Sequence, residues 1–147
     1  MRRNAQLYEE DFFEWTQATA ALIRAGKWYD LDREILAEEV ESLGKSDWRE
    51  LGSRLDVLVM HLLKWRYQPS ERSRSWRSTI RTQRRELRRL LQQNPSLHAQ
   101  VVGVIADGYS DARLEASDET GLPLTIFPEC CPWTAEQVLD ADFWPES

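Results

Sequence analysis

Apolar residues recur every three to four positions along most of the chain, and the strict alternation typical of half-buried strands is absent. At about 100° per residue, this spacing places apolar side chains on one stripe of a helix. It predicts a first helix that ends near Gly26. The buried stripe of this helix consists of Tyr8, Phe12, Trp15, Thr19, Leu22 and Ile23.

Two further helices are predicted in the next part of the chain. Asp30 is a good N-cap for a second helix that runs to Leu43, because its side chain can accept the free backbone N–H groups of a first turn. Gly44 is expected to end that helix. Ser46 caps a third helix, which Pro69 prevents from continuing far. The short connection predicts that these two helices form an antiparallel hairpin.

A fourth and a fifth helix follow. Ser73 or Ser75 is expected to begin the fourth helix as its N-cap. Asn94 and Pro95 are an N-cap and first-position pair for the fifth helix, which is expected to extend to Gly121.

The C-terminal part of the chain differs from the rest in its proline content. Residues 122–133 contain three prolines, so this segment is expected to run extended over the surface of the helices. Thr134, with Gln137 three residues later, predicts a capping box at the start of a short final helix.

These elements predict an all-α fold, a helical bundle of about five main helices with an extended proline-containing C-terminal segment and a short final helix. A chain of 147 residues fits one domain, because single-core domains cluster near 100–150 residues. A chain of this size buries enough surface to be stable without disulfides or a structural metal. We therefore expect one all-helical domain over residues 1–147.

The hydropathy pattern also bears on location. The apolar run from Val57 to Leu63 is interrupted by His61 and is far shorter than the ~20 residues needed to cross a bilayer. The N-terminal sequence lacks the unbroken apolar stretch of a signal peptide. We therefore expect a cytoplasmic protein with no membrane segment, in which the adjacent Cys130 and Cys131 are thiols.

Charge is unevenly distributed. Residues 64–89 contain ten Lys or Arg and two Glu, although the whole chain has a net charge of −6. Four arginines of the predicted fourth helix are spaced to form one ridge. They are Arg77, Arg81, Arg84 and Arg88.

Two interpretations of this ridge are open. It is either a surface that contacts phosphate, nucleic acid or a protein partner, or an internal set that pairs with the acidic second helix or the acidic C-terminal third. We favour internal pairing, because nucleic-acid-binding domains are usually basic and this chain has a pI near 5.0. Trp65 and Trp76 flank the start of the basic segment and could stack on bases, but they also fit the apolar stripes.

The candidates for acid and base chemistry are His61 and the cluster of Glu38, Glu39 and Glu41. His61 lies at the edge of the apolar stripe of its helix. Glu39 lies on the buried arc of the second helix, so its carboxylate must be paired, protonated or facing a cavity. In an antiparallel hairpin Glu39 and His61 would be roughly 15 Å apart, which argues against a simple dyad.

Complete catalytic and metal-binding motifs are absent from the sequence. There is no HExxH, CxxC, GxSxG or GxGxxG. His98 is far from His61 in sequence, and neither has a glutamate three residues before it, as carboxylate-bridged di-metal bundles require. We therefore predict no metal site and no cofactor, and a structural role for His61.

Seven motifs follow one another along the chain. They are YEEDFFEWTQATAALIRAGKWYDLD, LAEEVESLG, MHLLKWRYQP, RSWRSTIRTQRRE, NPSL, ETGLPLTIFPECCPW and DFWPE. In this order they resemble the bacterial family called domain of unknown function 29, over about residues 7–146. The resemblance implies a small all-helical bacterial domain, seen often in cyanobacteria and also in proteobacteria, and it implies no particular activity.

Individual residues fall on the motifs of that family, whereas Cys130 occupies a place where a polar or acidic residue is expected. This departure weakens any two-thiol function. The residues that match are Trp15, Glu38, Glu39, Glu41, His61, Lys64, Trp65, Pro69, Trp76, Arg77, Gly121, Pro128 and Cys131.

The sequence thus favours a protein-interaction module that works through a partner surface. Nucleic-acid binding through the arginine ridge is the first alternative. An enzyme or metal site around His61 and the three glutamates is the second, and we lean against catalysis because no complete catalytic motif is present.

Overall fold

The computed structural model describes residues 2–146, with side chains described from Asn4 onward. Within these residues every regular element is helical, which confirms the all-α fold class. The six α-helices are α1 (Arg2–Glu10), α2 (Phe12–Arg24), α3 (Arg33–Tyr67), α4 (Arg74–Gln93), α5 (Val101–Thr120) and α6 (Ala135–Leu139). Short 3₁₀ turns occur at Trp28–Asp30, Pro69–Glu71, Pro95–Gln100 and Leu124–Ile126.

The chain divides into two compact units, an N-terminal unit of Met1–Ser46 and a C-terminal unit of Asp47–Ser147. Each unit has its own internal packing and is described by itself. The expectation of a single domain over residues 1–147 stays a prediction.

The N-terminal unit begins with two helices where the apolar pattern predicts one. Asp11 interrupts the helix, because its carboxylate accepts the backbone N–H of Glu14 at 3.0 Å and so caps α2. The two helices share a buried polar network. The Asn4 amide donates to Thr19 at 3.1 Å and accepts from the Trp15 indole at 3.3 Å.

The helix that follows in the sequence also starts at a different residue from the predicted one. Asp30 lies in the 3₁₀ turn, and the N-capping bond comes from Asp32, which accepts the backbone N–H of Ile35 at 3.1 Å. The prediction of Asp30 as N-cap is therefore wrong by two residues. The cause is the short turn, which uses Asp30 before the α-helix begins.

Helix α3 runs for 35 residues through the position where a break is predicted. The predicted stop at Gly44, the Ser46 cap and the antiparallel hairpin are therefore wrong. A glycine inside a helix costs only about 1 kcal/mol relative to alanine. Without a proline between positions 33 and 67, nothing forces the hydrogen-bond ladder to stop.

The C-terminal unit is a bundle of the later part of α3 with α4, α5 and α6. Its core is aliphatic, and the predicted stripes of the third, fourth and fifth helices supply most of it. Fully buried side chains include Leu51, Leu55, Leu58, Leu62, Leu63, Ile80, Leu87, Val101 and Val138.

Most of the helix ends in this unit lie where the sequence predicts them. Ser73 caps α4 by accepting the backbone N–H of Trp76 at 3.1 Å, and Gly121 ends α5 with a φ of 72°. Thr134 and Gln137 form the predicted capping box of α6. Asn94 is the exception, because its amide donates to the Leu90 carbonyl at 3.0 Å and closes α4 while the next segment starts as a 3₁₀ turn.

The proline-containing segment packs against α5 and contains no α-helix, as predicted, but it is not extended throughout, because Leu124–Ile126 form a 3₁₀ turn. Phe127 is buried, and its carbonyl accepts from Arg113 at 3.1 Å. The Tyr109 hydroxyl donates to the Pro128 carbonyl at 2.6 Å. Two side chains of α5 thus fix a segment that has no regular hydrogen-bond ladder of its own.

Candidate functional site

His61 has a backbone partner. Its Nδ1 lies 2.9 Å from the Val57 carbonyl, and because a carbonyl only accepts, Nδ1 carries the hydrogen. Burial lowers the pKa of His61 below its usual value, the bond to Val57 opposes that change, and nearby Lys64 lowers it further. The imidazole is therefore neutral at pH 7.

Lys64, one turn beyond His61, is buried and paired. Its ammonium lies 2.9 Å from Glu119 Oε1 and 4.7 Å from the centre of the Trp76 ring. Lys64, which directly follows the apolar run, therefore has an ion-pair partner on α5 and a cation–π contact on α4.

The three glutamates have different surroundings in the N-terminal unit. Glu38 and Glu41 are exposed. Glu39 is half-buried and accepts a hydrogen bond from the Tyr8 hydroxyl, so it is paired, one of the three states expected for it. The bond to Glu39 is the main reason that the pKa of Tyr8 rises to about 12.

Of the candidate enzyme residues, the glutamates belong to the N-terminal unit and His61 to the C-terminal unit. Across residues 2–146, the hydrogen bonds of His61 include no carboxylate. The same residues hold no group of three or more His, Cys, Asp or Glu side chains arranged to bind a metal ion.

The arginine ridge of α4 is divided between the surface and the interior. Arg77, Arg81 and Arg88 are exposed, whereas Arg84 is only 2% exposed. The Arg84 Nε donates to the Val138 carbonyl at 2.9 Å and its Nη2 to the Gln137 carbonyl at 3.3 Å. Arg84 therefore caps the C-terminal end of α6 inside the bundle and does not belong to an exposed ridge.

Aromatic rings, not carboxylates, face most of these arginines. The guanidinium carbons of Arg77, Arg81 and Arg84 lie 5.9, 5.8 and 5.7 Å from the centre of the Trp144 ring. The ion pairs formed within residues 2–146 are Arg54–Glu50, Lys64–Glu119 and Arg89–Glu86, and none involves the ridge. The favoured interpretation holds in part, because Arg84 is bound internally by the C-terminal third of the chain, through backbone carbonyls and without an ion pair.

The two tryptophans that flank the basic segment belong to the packed interior. Trp65 is buried, and the centre of its ring lies 4.7 Å from the centre of the Trp144 ring. Trp76 is half-buried beneath Lys64. Their placement agrees with the prediction that they fit the apolar stripes.

The N-terminal unit exposes large apolar side chains. Phe13 is 73% exposed, Trp28 62%, Tyr29 91% and Leu43 71%. Sequence reasoning missed this surface because it assigned one buried stripe to the first helix. A signal was present, since Phe12 and Phe13 are adjacent and cannot both face one side of a helix.

Comparison with protein families identifies the family of this chain. The model described as Domain of unknown function DUF29 matches residues 7–144. This chain belongs to the DUF29 family. The match confirms the resemblance seen in the motifs and, like it, carries no activity. Comparison with curated proteins and with solved structures finds no match to this DUF29 chain.

No helix in the described part of the DUF29 chain combines the length and apolar character needed to cross a membrane. Its two cysteines are free thiols, as expected, with Cys130 exposed and Cys131 half-buried. They lie at a cleft of about 560 Å³ whose walls include Ile105, Tyr109 and Trp133. Burial raises the pKa of the Cys131 thiol, so this thiol is a weak nucleophile at neutral pH.

Asp56 is a carboxylate that the sequence did not single out. It lies on α3 directly against Gly108 of α5, where an added Cβ would lie 2.1 Å from Asp56 Oδ1. Burial raises the pKa of Asp56, and Asp111 and Glu115 raise it further. The carboxyl of Asp56 therefore holds its proton to a higher pH in the folded chain than in the unfolded chain.

Asp56→Asn is expected to raise the free energy of unfolding at pH 7 by about 0.2–1 kcal/mol, the range for partly exposed charges. A carboxyl whose folded pKa is raised stabilises the fold at low pH and loses that contribution as the pH rises through the folded value. The gain in unfolding free energy should therefore shrink as the pH falls toward 3.8, the ordinary pKa of an aspartate. Urea unfolding between pH 4 and 7 measures this, with the exposed Asp107→Asn as control. A less stable Asp56→Asn variant at pH 7 would contradict it.

Proposed function

We propose that this chain is a cytoplasmic protein-interaction module whose partner binds the exposed apolar side chains of the N-terminal unit. We call this surface the aromatic surface. It consists of Phe12, Phe13, Trp28, Tyr29, Val40 and Leu43, each at least half exposed. The observation that carries the proposal is that six large apolar side chains of residues 4–46 are each at least half exposed to water.

The interior of the same unit gives these side chains little room. Among residues 4–46 the buried side chains are Asn4, Trp15, Thr19 and Leu31, of which two are polar. The rings of Tyr8, Phe12 and Trp15 pack together, with their centres 5.0–5.7 Å apart. Phe12 nevertheless remains half exposed. Large exposed apolar groups favour binding, since protein interfaces are enriched in Phe, Tyr and Trp and their hot spots in Trp and Tyr.

Charge favours a basic partner. Residues 1–46 contain ten acidic and six basic residues. Glu34, Glu38 and Glu41 are exposed on α3 in the same stretch as Val40 and Leu43. An apolar protein surface flanked by Lys or Arg would match both properties, and its association rate should fall as salt is added.

The arginines of α4 are a less favoured partner surface. Arg77 and Arg81 stand over tryptophan rings, and Arg84 is buried. Nucleic-acid binding would have to rely on the remaining charges against a net charge of −6, so no specific observation favours it.

The double variant Phe13→Ser/Leu43→Ser is expected to reduce partner capture at least about tenfold, because apolar anchors in an interface are often worth 2 kcal/mol or more. Both side chains are exposed, so the free energy of unfolding should change by less than about 1 kcal/mol. The measurement is quantitative mass spectrometry of proteins retained by the full chain from its native lysate.

A matched control is Val102→Ser/Leu114→Ser, which removes two exposed apolar side chains from the C-terminal unit. This variant should retain the partner at the wild-type level. Equal loss from both double variants would mean nonspecific adsorption and would refute the proposal. Loss from Arg77→Glu/Arg81→Glu alone would assign the partner to α4 instead.

A further inference from the structure

A cleft of about 240 Å³ lies where the C-terminal half of α4 meets α6 and the 3₁₀ turn before α5. Its volume equals about eight waters at ~30 Å³ each, which is enough for a small anion with part of an organic group. The residues that line it are Arg84, Arg88, Leu91, Gln92, His98 and Leu139.

Arg84 is the unusual member of this lining. Its Nε and Nη2 are satisfied by carbonyls of α6, but Nη1 is buried and has no hydrogen-bond partner among residues 2–146. No ion pair within the same residues neutralises its charge. A buried guanidinium with a free donor is costly, and such groups are normally paired with an acid or hydrogen-bonded throughout.

Other polar residues line the same cleft. Arg84, Arg88 and Gln92 are spaced by four residues along α4, so they share one face of the helix. His98 adds an imidazole from the 3₁₀ turn. The lining contains no acidic side chain. Asp140, just beyond α6, is the acid whose charge acts on Arg84, and it lies outside ion-pair distance.

We propose that this cleft binds a phosphate group, either as free phosphate or as the phosphate of a small monoester. The exposed Arg88 can donate to the tetrahedral oxygens of phosphate through its planar fork. The charge of the buried Arg84 adds a positive potential that no ion pair within residues 2–146 neutralises. Leu91 and Leu139 supply apolar walls for the organic part of a monoester. The site is separate in sequence and in unit from the aromatic surface, so it stands independently of the partner proposal.

Calorimetric titration of the full chain with inorganic phosphate and with phenyl phosphate tests this. Both should bind in a chloride buffer of constant ionic strength, and tighter binding of phenyl phosphate would identify a monoester as the preferred form. Arg88→Glu is expected to weaken phosphate binding at least tenfold. Arg88 is exposed, so this variant should keep the stability of the wild-type protein, whereas substitutions of the buried Arg84 should lower it.

Arg85→Glu is the matched control, because Arg85 is exposed on the same helix and the change in net charge is identical. It should keep the wild-type affinity. Equal weakening by both variants would show a general effect of charge and overturn the proposal. Absence of heat and of thermal stabilisation with either anion at millimolar concentration would overturn it as well.

Discussion

Arg84→Ala is expected to lower the free energy of unfolding by about 3 kcal/mol. Truncating a large buried side chain leaves a cavity, and such changes cost about 2–5 kcal/mol. The Val138 carbonyl also loses its donor, which costs about 1–3 kcal/mol when the acceptor stays buried. Removing a buried charge with an unpaired Nη1 offsets part of this loss.

Urea unfolding followed by circular dichroism measures the effect, and two variants separate its causes. Arg84→Met keeps most of the volume but removes the donors, so it should cost about 1 kcal/mol. Arg85→Ala, exposed on the same helix, should change the unfolding free energy by less than about 0.5 kcal/mol. If Arg84→Ala were as stable as Arg85→Ala, Arg84 would not hold the end of α6.

Trp144→Ala is expected to lower the free energy of unfolding by about 2–3 kcal/mol, somewhat less than the 3–5 kcal/mol of a fully buried aromatic residue. The Trp144 ring packs against Trp65 at 4.7 Å and faces the guanidinium groups of Arg77 and Arg81. Aromatic pairs contribute about 0.5–1.5 kcal/mol beyond burial, and each cation–π contact about 0.5–1 kcal/mol.

The same variant should loosen the end of the chain. Pro145 is buried next to Trp144, and its carbonyl lies 3.4 Å from Arg72 Nη2. Faster hydrogen exchange of residues 140–146 than in the wild-type protein would report this release. Trp28→Ala removes an exposed indole from the N-terminal unit and should leave both measurements unchanged. Comparable losses from the two variants would contradict a specific role for Trp144.

Helical class and most caps of the C-terminal unit follow from local chemistry. Ser73 and Thr134 accept N–H groups from the first turns of α4 and α6. Gly121 adopts a left-handed conformation that is unfavourable for other residues. Such interactions span a few residues, so they can be predicted from sequence. The continuity of α3 could not be predicted in the same way, because a glycine is a weak stop signal that neighbouring hydrogen bonds can override.

The candidate sites depended on contacts far apart in sequence. Helical spacing predicts that Arg84 is one of four equivalent arginines, yet it donates to α6, more than fifty residues away. The partner of Glu39 is Tyr8, thirty-one residues earlier. Helical spacing places residues on a face of one helix but does not say what that face contacts. For the same reason, the spacing of Arg84 and Arg88 was visible, whereas the cleft they share with His98 was not.

The most direct test of the central claim is a site-specific photocross-link on the full chain in its native cells. A photoreactive phenylalanine analogue at position 13 of the N-terminal unit is compared with the same analogue at position 114, an exposed leucine of the C-terminal unit. The proposal predicts a defined adduct with another protein at position 13 and none at position 114. An adduct at position 114 alone, no adduct at position 13, or an adduct at twice the 17.3 kDa mass of the chain would contradict it.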